Sequence, residues 1–375
     1  MKIIFFLIKT IFVPLIDAID KFGDLFNLKF YSQNKRISNV LDGYKTHTTE
    51  DLAIFVVYQK NHIPFYIKNV LQVLDSLKVN VLVTVNQEIG SEQISWLRNE
   101  TSKVIVRKNF GRDFAAYKDA INIANLSEYQ KLIILNDSVV YFSKNLKDVF
   151  ETMLSKDKDI VCLTENYEKA WHVQSYFYSL SKKIFDSNQF KEFWKNYKPF
   201  NSRPHSVFNG EIAFSQKVLS KYSSNRYVYY SVSRLASLAS IENQNNNLFI
   251  KKYFDLVPIN QLQDNIDSIF LNHEEDKEKE KMIRAKVLEE SFSSLEKLNP
   301  SHYFAFLAPY LTNTCILKKD LVFRGTYSII KTKNALKLLG LEDSDIEEVI
   351  NEMILKGSIK NLSLLNKLKA MVGLI

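Results

Sequence analysis

From Leu52 onward, short apolar runs alternate with longer amphipathic stretches, the pattern of buried parallel strands joined by crossover helices. The apolar runs are Leu52 to Tyr58, Val79 to Val85, Val104 to Arg107, Leu132 to Leu135 and Ile160 to Leu163, all rich in Val, Ile or Leu. Helices are predicted to start near Pro64, Ser91, Asp113 and Asn145, each suited to a cap or first turn. Together these elements predict a doubly wound α/β fold, a mostly parallel sheet flanked by helices.

Past Leu163 the alternation weakens. Val173 to Leu180 reads as another strand, and Phe190, Phe193 and Trp194 share one face of a helix that belongs in the core. Pro199 to Ser206 reads as a loop, a helix is predicted from Asn209 and Gly210 through Lys221, and Tyr227 to Val232 is β-rich. Asn243 to Asn247 is the best linker candidate, and His273 to Lys281 is a charge run suited to a solvated helix face. The expected organisation is therefore an amphipathic helical segment at 1–50, an α/β domain at 51–240 and a mainly helical region at 241–375.

Composition narrows the function classes. With 375 residues, 46% hydrophobic and 13% aromatic, the chain has the material for a large core and is not disordered. A net charge of +8 suits nucleic acid, anionic lipid or a phosphate-bearing ligand. The basic residues are scattered and no zinc-finger or basic-region pattern accompanies them, so no nucleic-acid partner is expected. Cys162 and Cys315 are too few for a disulfide framework or a zinc site, which points to a reducing, cytoplasmic compartment. Ile3 to Ile16 is apolar but too short to span a bilayer. It reads either as an interfacial helix anchored to an anionic membrane by Lys2, Lys9 and Lys21, or as a helix docked on the protein's own core.

Ligands of open α/β sheets bind beyond the carboxyl ends of the strands. Two strand ends are abruptly polar: Asn109-Phe110-Gly111-Arg112-Asp113, and Asn136-Asp137-Ser138. Such an edge offers donors for a diphosphate and oxygen ligands for a hard divalent cation, Mg or Mn, with Asp137 as the candidate metal ligand. The competing reading has Asn-Asp-Ser capping a turn and Arg112 pairing with Asp113 at the surface. His172 and Gln174 alternate about Val173, so both side chains would point to one face. No Gly-x-Gly-x-x-Gly follows the first strand, which argues against a dinucleotide oxidoreductase.

Several separated motifs agree in order and spacing with one family. Asn109 to Asp113, Leu135 to Ser138, His172-Val173-Gln174-Ser175-Tyr176-Phe177, Phe190 to Trp194, Asn299-Pro300-Ser301-His302 and Lys318-Lys319-Asp320-Leu321 resemble the rhamnan synthesis protein F family of bacterial glycosyltransferases. The resemblance spans roughly Leu52 to Arg324 and implies a GT-A-like, Rossmann-type fold whose C-terminal region completes the active site. It further implies a nucleotide-sugar donor, a glycan or lipid-linked glycan acceptor, and a role in capsule, O-antigen or rhamnan synthesis at the inner face of the cell membrane. Donor-binding residues would be Arg112, Asp113, Asn136, Ser138, His172, Gln174, His302 and Lys318. Asn136-Asp137-Ser138 stands where many such enzymes carry Asp-x-Asp, with one carboxylate instead of two. For an inverting transfer the expected general base is Glu211, with His205 as the rival; the plainer reading of Glu211 is a carboxylate at a helix N-terminus that favours the dipole. A catalytically silent relative that binds polysaccharide or a partner is the alternative.

Overall fold

In chain order the strands are β1 (Ile37–Asp42), β2 (Asp51–Val57), β3 (Asn80–Val85), β4 (Lys103–Arg107), β5 (Lys131–Asn136), β6 (Val139–Tyr141), β7 (Ile160–Cys162), β8 (Glu165–Asn166), β9 (His172–Val173), β10 (Phe177–Ser181), β11 (Arg226–Val228) and β12 (Ile316–Lys318). This is a computed structural model, and it describes residues 18–19, 21–22, 32–59, 62–155, 157–245, 249–258, 285, 288, 292, 299–314, 316–322 and 324–356. Eight strands form one sheet in the order β1-β4-β3-β2-β5-β10-β7-β11. Its centre, β4-β3-β2-β5, is parallel throughout, and β7 pairs with β11 in parallel. The edge strand β1 and the inserted strand β10 run antiparallel to their neighbours.

The sheet is covered on both faces because its strands are apolar on both. Ala53, Phe55 and Val57 of β2 join one core with the helices α1 (Phe65–Ser76), α2 (Ser91–Glu100) and, further along, α4 (Leu146–Met153). The alternate residues Leu52, Ile54 and Val56 join the other core with α3 (Arg112–Ile123) and α5 (Asn188–Asn196). Phe190 and Trp194 of α5 are buried there, Trp194 stacked on Phe114 and Phe190 edge-on to Trp194, as the helical spacing predicts. The C-terminal helices Ile329–Leu338 and Asp343–Lys356 bury Leu336, Val349 and Met353 in the first core. β12 extends that attachment by pairing with β6.

Several boundaries differ from expectation. The predicted strand Val173 to Leu180 is broken: β9 pairs with β8, residues 174–176 leave the sheet through a turn at 175–176, and only then does β10 begin. The helix expected from Asn209 is a π-helical turn, Ser206–Ile212, followed by a short α-helix, Ala213–Lys217, and a 3₁₀ stretch, Leu219–Asn225. Within Pro199 to Ser206, Arg203–His205 forms a helical turn capped by Ser202. Only Arg226–Val228 of the β-rich segment is strand. Asn243 to Asn245 of the expected linker continue the helix Val232–Asn245, which runs through the boundary expected at 240. Ile3 to Ile16, His273 to Lys281 and Asn246-Asn247 lie outside the described residues. Among the described residues, no helix is long and apolar enough to cross a membrane.

One charged group lies in the floor of the fold. Asp119 of α3 is fully buried between Arg36 and Arg107, which are equally buried. Arg36 donates from both ends of its guanidinium, at 2.5 and 3.0 Å, and Arg107 Nε donates at 3.0 Å. Removing one partner of such a group strands the rest in a medium that cannot solvate them. Asp119→Ala is expected to lose about 3–5 kcal/mol of unfolding free energy, measured by urea denaturation. A loss below about 1 kcal/mol, the size of a surface pair, would contradict this account of the core.

Candidate functional site

The turn after β4 delivers the first site residues. Arg107 Nη2 donates to the Phe110 carbonyl at 2.6 Å and Nη1 donates to Asn86 Oδ1. Gly111 follows at φ 77°, and its N–H donates to Asn201 Oδ1 at 2.8 Å. A Cβ at Gly111 would lie 2.6 Å from Ala115 Cβ and from Pro199 Cβ, so both conformation and space demand glycine. Arg112 is also left-handed, at φ 55°, a conformation that costs a non-glycine residue energy and recurs at functional sites. Asp113 in the first turn of α3 accepts from Asn136 Nδ2 at 3.1 Å.

Asn136, buried at the end of β5, also donates to Tyr117 OH at 2.9 Å, and its Oδ1 accepts from Ser138 N–H at 2.9 Å. It shapes the triplet. Asp137 Oδ2 accepts from Tyr58 N–H at 3.1 Å and Gln59 Nε2 at 2.5 Å, and lies 3.7 Å from Lys319 Nζ. Lys319 reaches Tyr66 OH at 2.8 Å and Glu352 at 3.4 Å, and Tyr66 OH donates to Glu352 at 2.7 Å. Burial first, then the charges of Asp137 and Glu352, push the Tyr66 phenol up, so it remains a donor.

Because β10 runs antiparallel to β5, the residues just before it arrive at the same sheet edge. Glu211 Oε2 accepts from Ser175 N–H at 2.8 Å, and Oε1 lies 3.4 Å from His172 Nε2. His172 Nδ1 donates to the Ala170 carbonyl at 2.8 Å, and Gln174 Nε2 sits 3.0 Å from His172 Nε2. The expected meeting of His172 and Gln174 therefore occurs, although no continuous strand carries it. Glu211 occupies the π-turn instead of a helix start, because Gly210 is pressed on Phe114: a Cβ there would lie 2.7 Å from Phe114 Cγ. His205, the rival base, is buried, with Nε2 at 2.8 Å from the Lys198 carbonyl and Nδ1 at 3.1 Å from Asn209 Nδ2.

The C-terminal region closes the edge. Ser301 Oγ lies 3.1 Å from Tyr176 OH and 3.4 Å from Gln174 Oε1. His302 Nε2 lies 3.1 Å from Asp320 Oδ1, whose other oxygen accepts from Arg324 at 2.5 Å. Lys318 Nζ sits 4.2 Å from the centre of the Tyr176 ring, a cation–π arrangement. Burial lowers the Lys318 pKa against the opposing charges of Asp320 and Glu211; Asp113 is also within electrostatic range. Burial lowers Arg203 in the same way, with Asp320 and Glu211 opposing. Asp113, Glu211 and Lys318, about a hundred residues apart in each step, thus share one field.

The comparisons with known proteins bear on this edge. Residues 81–238 match the rhamnan synthesis protein F family. The expected resemblance is borne out over that range, which contains the motifs at 109–113, 135–138, 172–177 and 190–194 and stops short of Asn299 to His302 and Lys318 to Leu321. An uncharacterized protein, y4gN, of Sinorhizobium fredii (strain NBRC 101917 / NGR234) is 24% identical over 192 residues, 50% of each chain. The chain thus spans about half the length of that relative. Among solved structures, the mannosyltransferase Ktr4p from S. cerevisiae overlaps 48% of this chain and 69% of its own at 10% identity and TM-score 0.27. The glycosyltransferase GlyE of Streptococcus pneumoniae TIGR4 overlaps 54% and 51% at 14% identity and TM-score 0.29. Overlaps this slight carry no structural inference.

Sequence reasoning missed the partners more than the motifs. Gln59, Tyr66, Arg203 and Glu352 carry no local signal, whereas Lys319 and Asp320 stood beside Lys318 in a motif already singled out.

The His172–Glu211 pair sets a pH dependence. Burial opposes both charges, but the mutual hydrogen bond and attraction, with Ser175 N–H, prevail: Glu211 falls below its ordinary 4.5 and His172 rises above its ordinary 6.5. The Glu211 contribution is complete above pH 4.5 and lost as pH falls through its lower folded value. The His172 contribution is complete below pH 6.5 and lost as pH rises through its higher folded value. The stability difference between the wild type and His172→Gln is expected to be largest between these limits and to shrink above them, read from melting curves across pH. A difference that grows steadily above pH 7 (roughly half a unit past the free imidazole) would reject the ion pair.

Proposed function

We propose that this chain is a glycosyltransferase that moves a sugar from a nucleotide-diphosphate donor to a growing surface polysaccharide, on a glycan or lipid-linked glycan acceptor at the cytoplasmic face of the membrane. One observation carries the reading: six separate chain segments bring Arg112 and Asp113, Asn136 to Ser138, His172 and Gln174, Glu211, Ser301 and His302, and Lys318 to the edge where the parallel central strands of the sheet end. That is where α/β sheets bind nucleotides, and most of it lies in the family-matched segment. A GT-A-like donor site at this edge agrees with the family resemblance.

In this reading the acceptor hydroxyl oxygen bonds to the anomeric carbon as the bond to the diphosphate breaks. The hydroxyl proton passes to Glu211, and the diphosphate leaves with the bonding electrons. Arg112, Lys318 and protonated His172 supply the positive field that a departing diphosphate requires. Asn136 orders the turn that places Asp113 and Ser138, while Gln174 and Ser301 orient His172 and Tyr176. Inversion of configuration and a rhamnose or related hexose donor follow the family resemblance. The bonds from His172 and Ser175 N–H keep the Glu211 carboxylate ionised, the form that can accept a proton.

A catalytically silent, glycan- or partner-binding relative is favoured by one feature, the engagement of Asp137 with Gln59 and Lys319. A panel of nucleotide sugars, scored for nucleoside diphosphate release with and without membrane glycolipid, separates the two. Release with at least one donor is expected; binding without release under every acceptor condition would select the silent relative. With the active donor, Glu211→Gln is expected to lose ~10²- to 10⁴-fold in transfer rate while retaining donor affinity. A near-normal rate would remove Glu211 as the base.

A further inference from the structure

We propose that Lys319 serves Asp137 as a built-in counter-cation, so that the nucleotide site of this chain works without a divalent metal ion. The assignment deepens the transferase reading and rests on it.

A Mg or Mn site at a sugar nucleotide draws on several oxygen ligands with lone pairs to spare, at least one of them a carboxylate held in place for the ion. In the triplet after β5, the Asn136 oxygen and one of the two Asp137 carboxylate oxygens are already committed. Asn136 is 2% exposed, with its oxygen occupied by Ser138 N–H and its amide nitrogen donating to Asp113 and Tyr117. Asp137 Oδ2 already accepts two hydrogen bonds, from Tyr58 N–H and Gln59 Nε2, and has an ammonium 3.7 Å away. A divalent ion placed on this oxygen would face the Lys319 charge at short range in a poorly solvated setting.

The ammonium itself is built in. Lys319 is 6% exposed, and its N–H donates to the Ser138 carbonyl at 3.1 Å, so its backbone is tied to the triplet it neutralises. Its Nζ donates to Tyr66 OH at 2.8 Å and lies 3.4 Å from Glu352 Oε2. Tyr66 in turn accepts from Gln59, the residue that also holds Asp137. One cation thus sits between two carboxylates, with a tyrosine and a glutamine fixing its position. Among the described residues, the one His and carboxylate group whose ligand atoms gather within 4.8 Å is His62, Glu348 and Glu352, and Glu352 there is already shared with Lys319.

The test uses the full chain, a set of nucleoside diphosphates and Mn²⁺. Nucleoside diphosphate affinity by calorimetry is expected to be the same in chelator and in Mn²⁺, and the Mn²⁺ paramagnetic resonance signal is expected to be the same for wild type and Asp137→Asn. Lys319→Gln is expected to weaken the nucleotide at least about tenfold through the uncompensated carboxylates, with Mn²⁺ recovering part of the loss and Lys319→Arg recovering most of it. Nucleotide binding that requires Mn²⁺ or Mg²⁺ in the wild type, or bound Mn²⁺ released by Asp137→Asn, overturns the proposal. If Lys319→Gln does not fold, the wild type and Asp137→Asn still decide. If no nucleoside diphosphate binds under any condition, the transferase reading fails, and the Mn²⁺ signal alone judges the role of Lys319.

Discussion

The fold hangs on a carboxylate with two arginines in a place that water does not reach. Asp119 takes three donors from Arg36 and Arg107, and all three residues are essentially inaccessible. Such a group contributes little net stability but penalises every arrangement that separates its members. It therefore acts as a register pin: Arg36 precedes the edge strand β1, Arg107 ends β4, and Asp119 lies in the third turn of α3. Arg107 spends its remaining nitrogens on Asn86 and the Phe110 carbonyl, and the latter bond sets the path into Gly111 and Arg112. The left-handed turn at Gly111 and Arg112 is tied to the buried group beneath it by the bond from Arg107 to the Phe110 carbonyl. Through Asp113 and Asn136 the constraint passes to the end of β5.

A second constraint is topological. An all-parallel sheet would send the segment before β10 to the opposite end of the molecule. The antiparallel insertion of β10 between β5 and β7 brings His172 to Tyr176 back to the edge where β2, β4 and β5 end. The π-turn performs the matching task for Glu211. A π-turn widens the backbone by a residue per turn and recurs at functional positions; here it seats Gly210 on Phe114 and turns Glu211 toward His172 and Ser175. Hydrophobic packing and charge placement are solved by the same few residues.

The parallel centre of the sheet was legible because its strands are apolar on both faces: Leu52 to Val57 reads the same whether one counts the residues facing α1 or those facing α3. The polar strand ends were legible for the converse reason, since a burst such as Asn136-Asp137-Ser138 after four apolar residues has few structural explanations. Local hydrogen-bond competition was not legible. Nothing in Val173 to Leu180 announces that Gln174 N–H will bond to the Thr164 carbonyl and break the strand, because that partner belongs to another part of the chain. Glu352 was invisible for a related reason. It lies on a helix whose pattern is fully explained by burying Ile346, Val349 and Met353, and its pairing with Lys319 and Tyr66 exists only after the last helix docks.

That docking explains why two lysines stand side by side at the end of β12. Successive residues of an extended segment point to opposite sides, so a single lysine could serve the sheet edge or the interior beneath it, but not both. Lys318 takes the first side, over the Tyr176 ring and within the field of Asp113, Glu211 and Asp320. Lys319 takes the second, between Asp137 and Glu352. The two charges are not interchangeable. Lys319 is surrounded by carboxylates close enough to consume its charge, whereas Lys318 has its nearest described contact with a neutral ring and its acidic neighbours further off. A cation held in that way keeps its attraction for an incoming anion. Burial disfavours the Lys318 ammonium, and the carboxylates of Asp320 and Glu211 oppose that shift. Without the C-terminal region, the parallel sheet would retain its polar edge, and Asp137 would lack the cation that neutralises it while the edge lacked the cation that faces outward. The C-terminal helices are therefore part of the site's electrostatics as well as of its core.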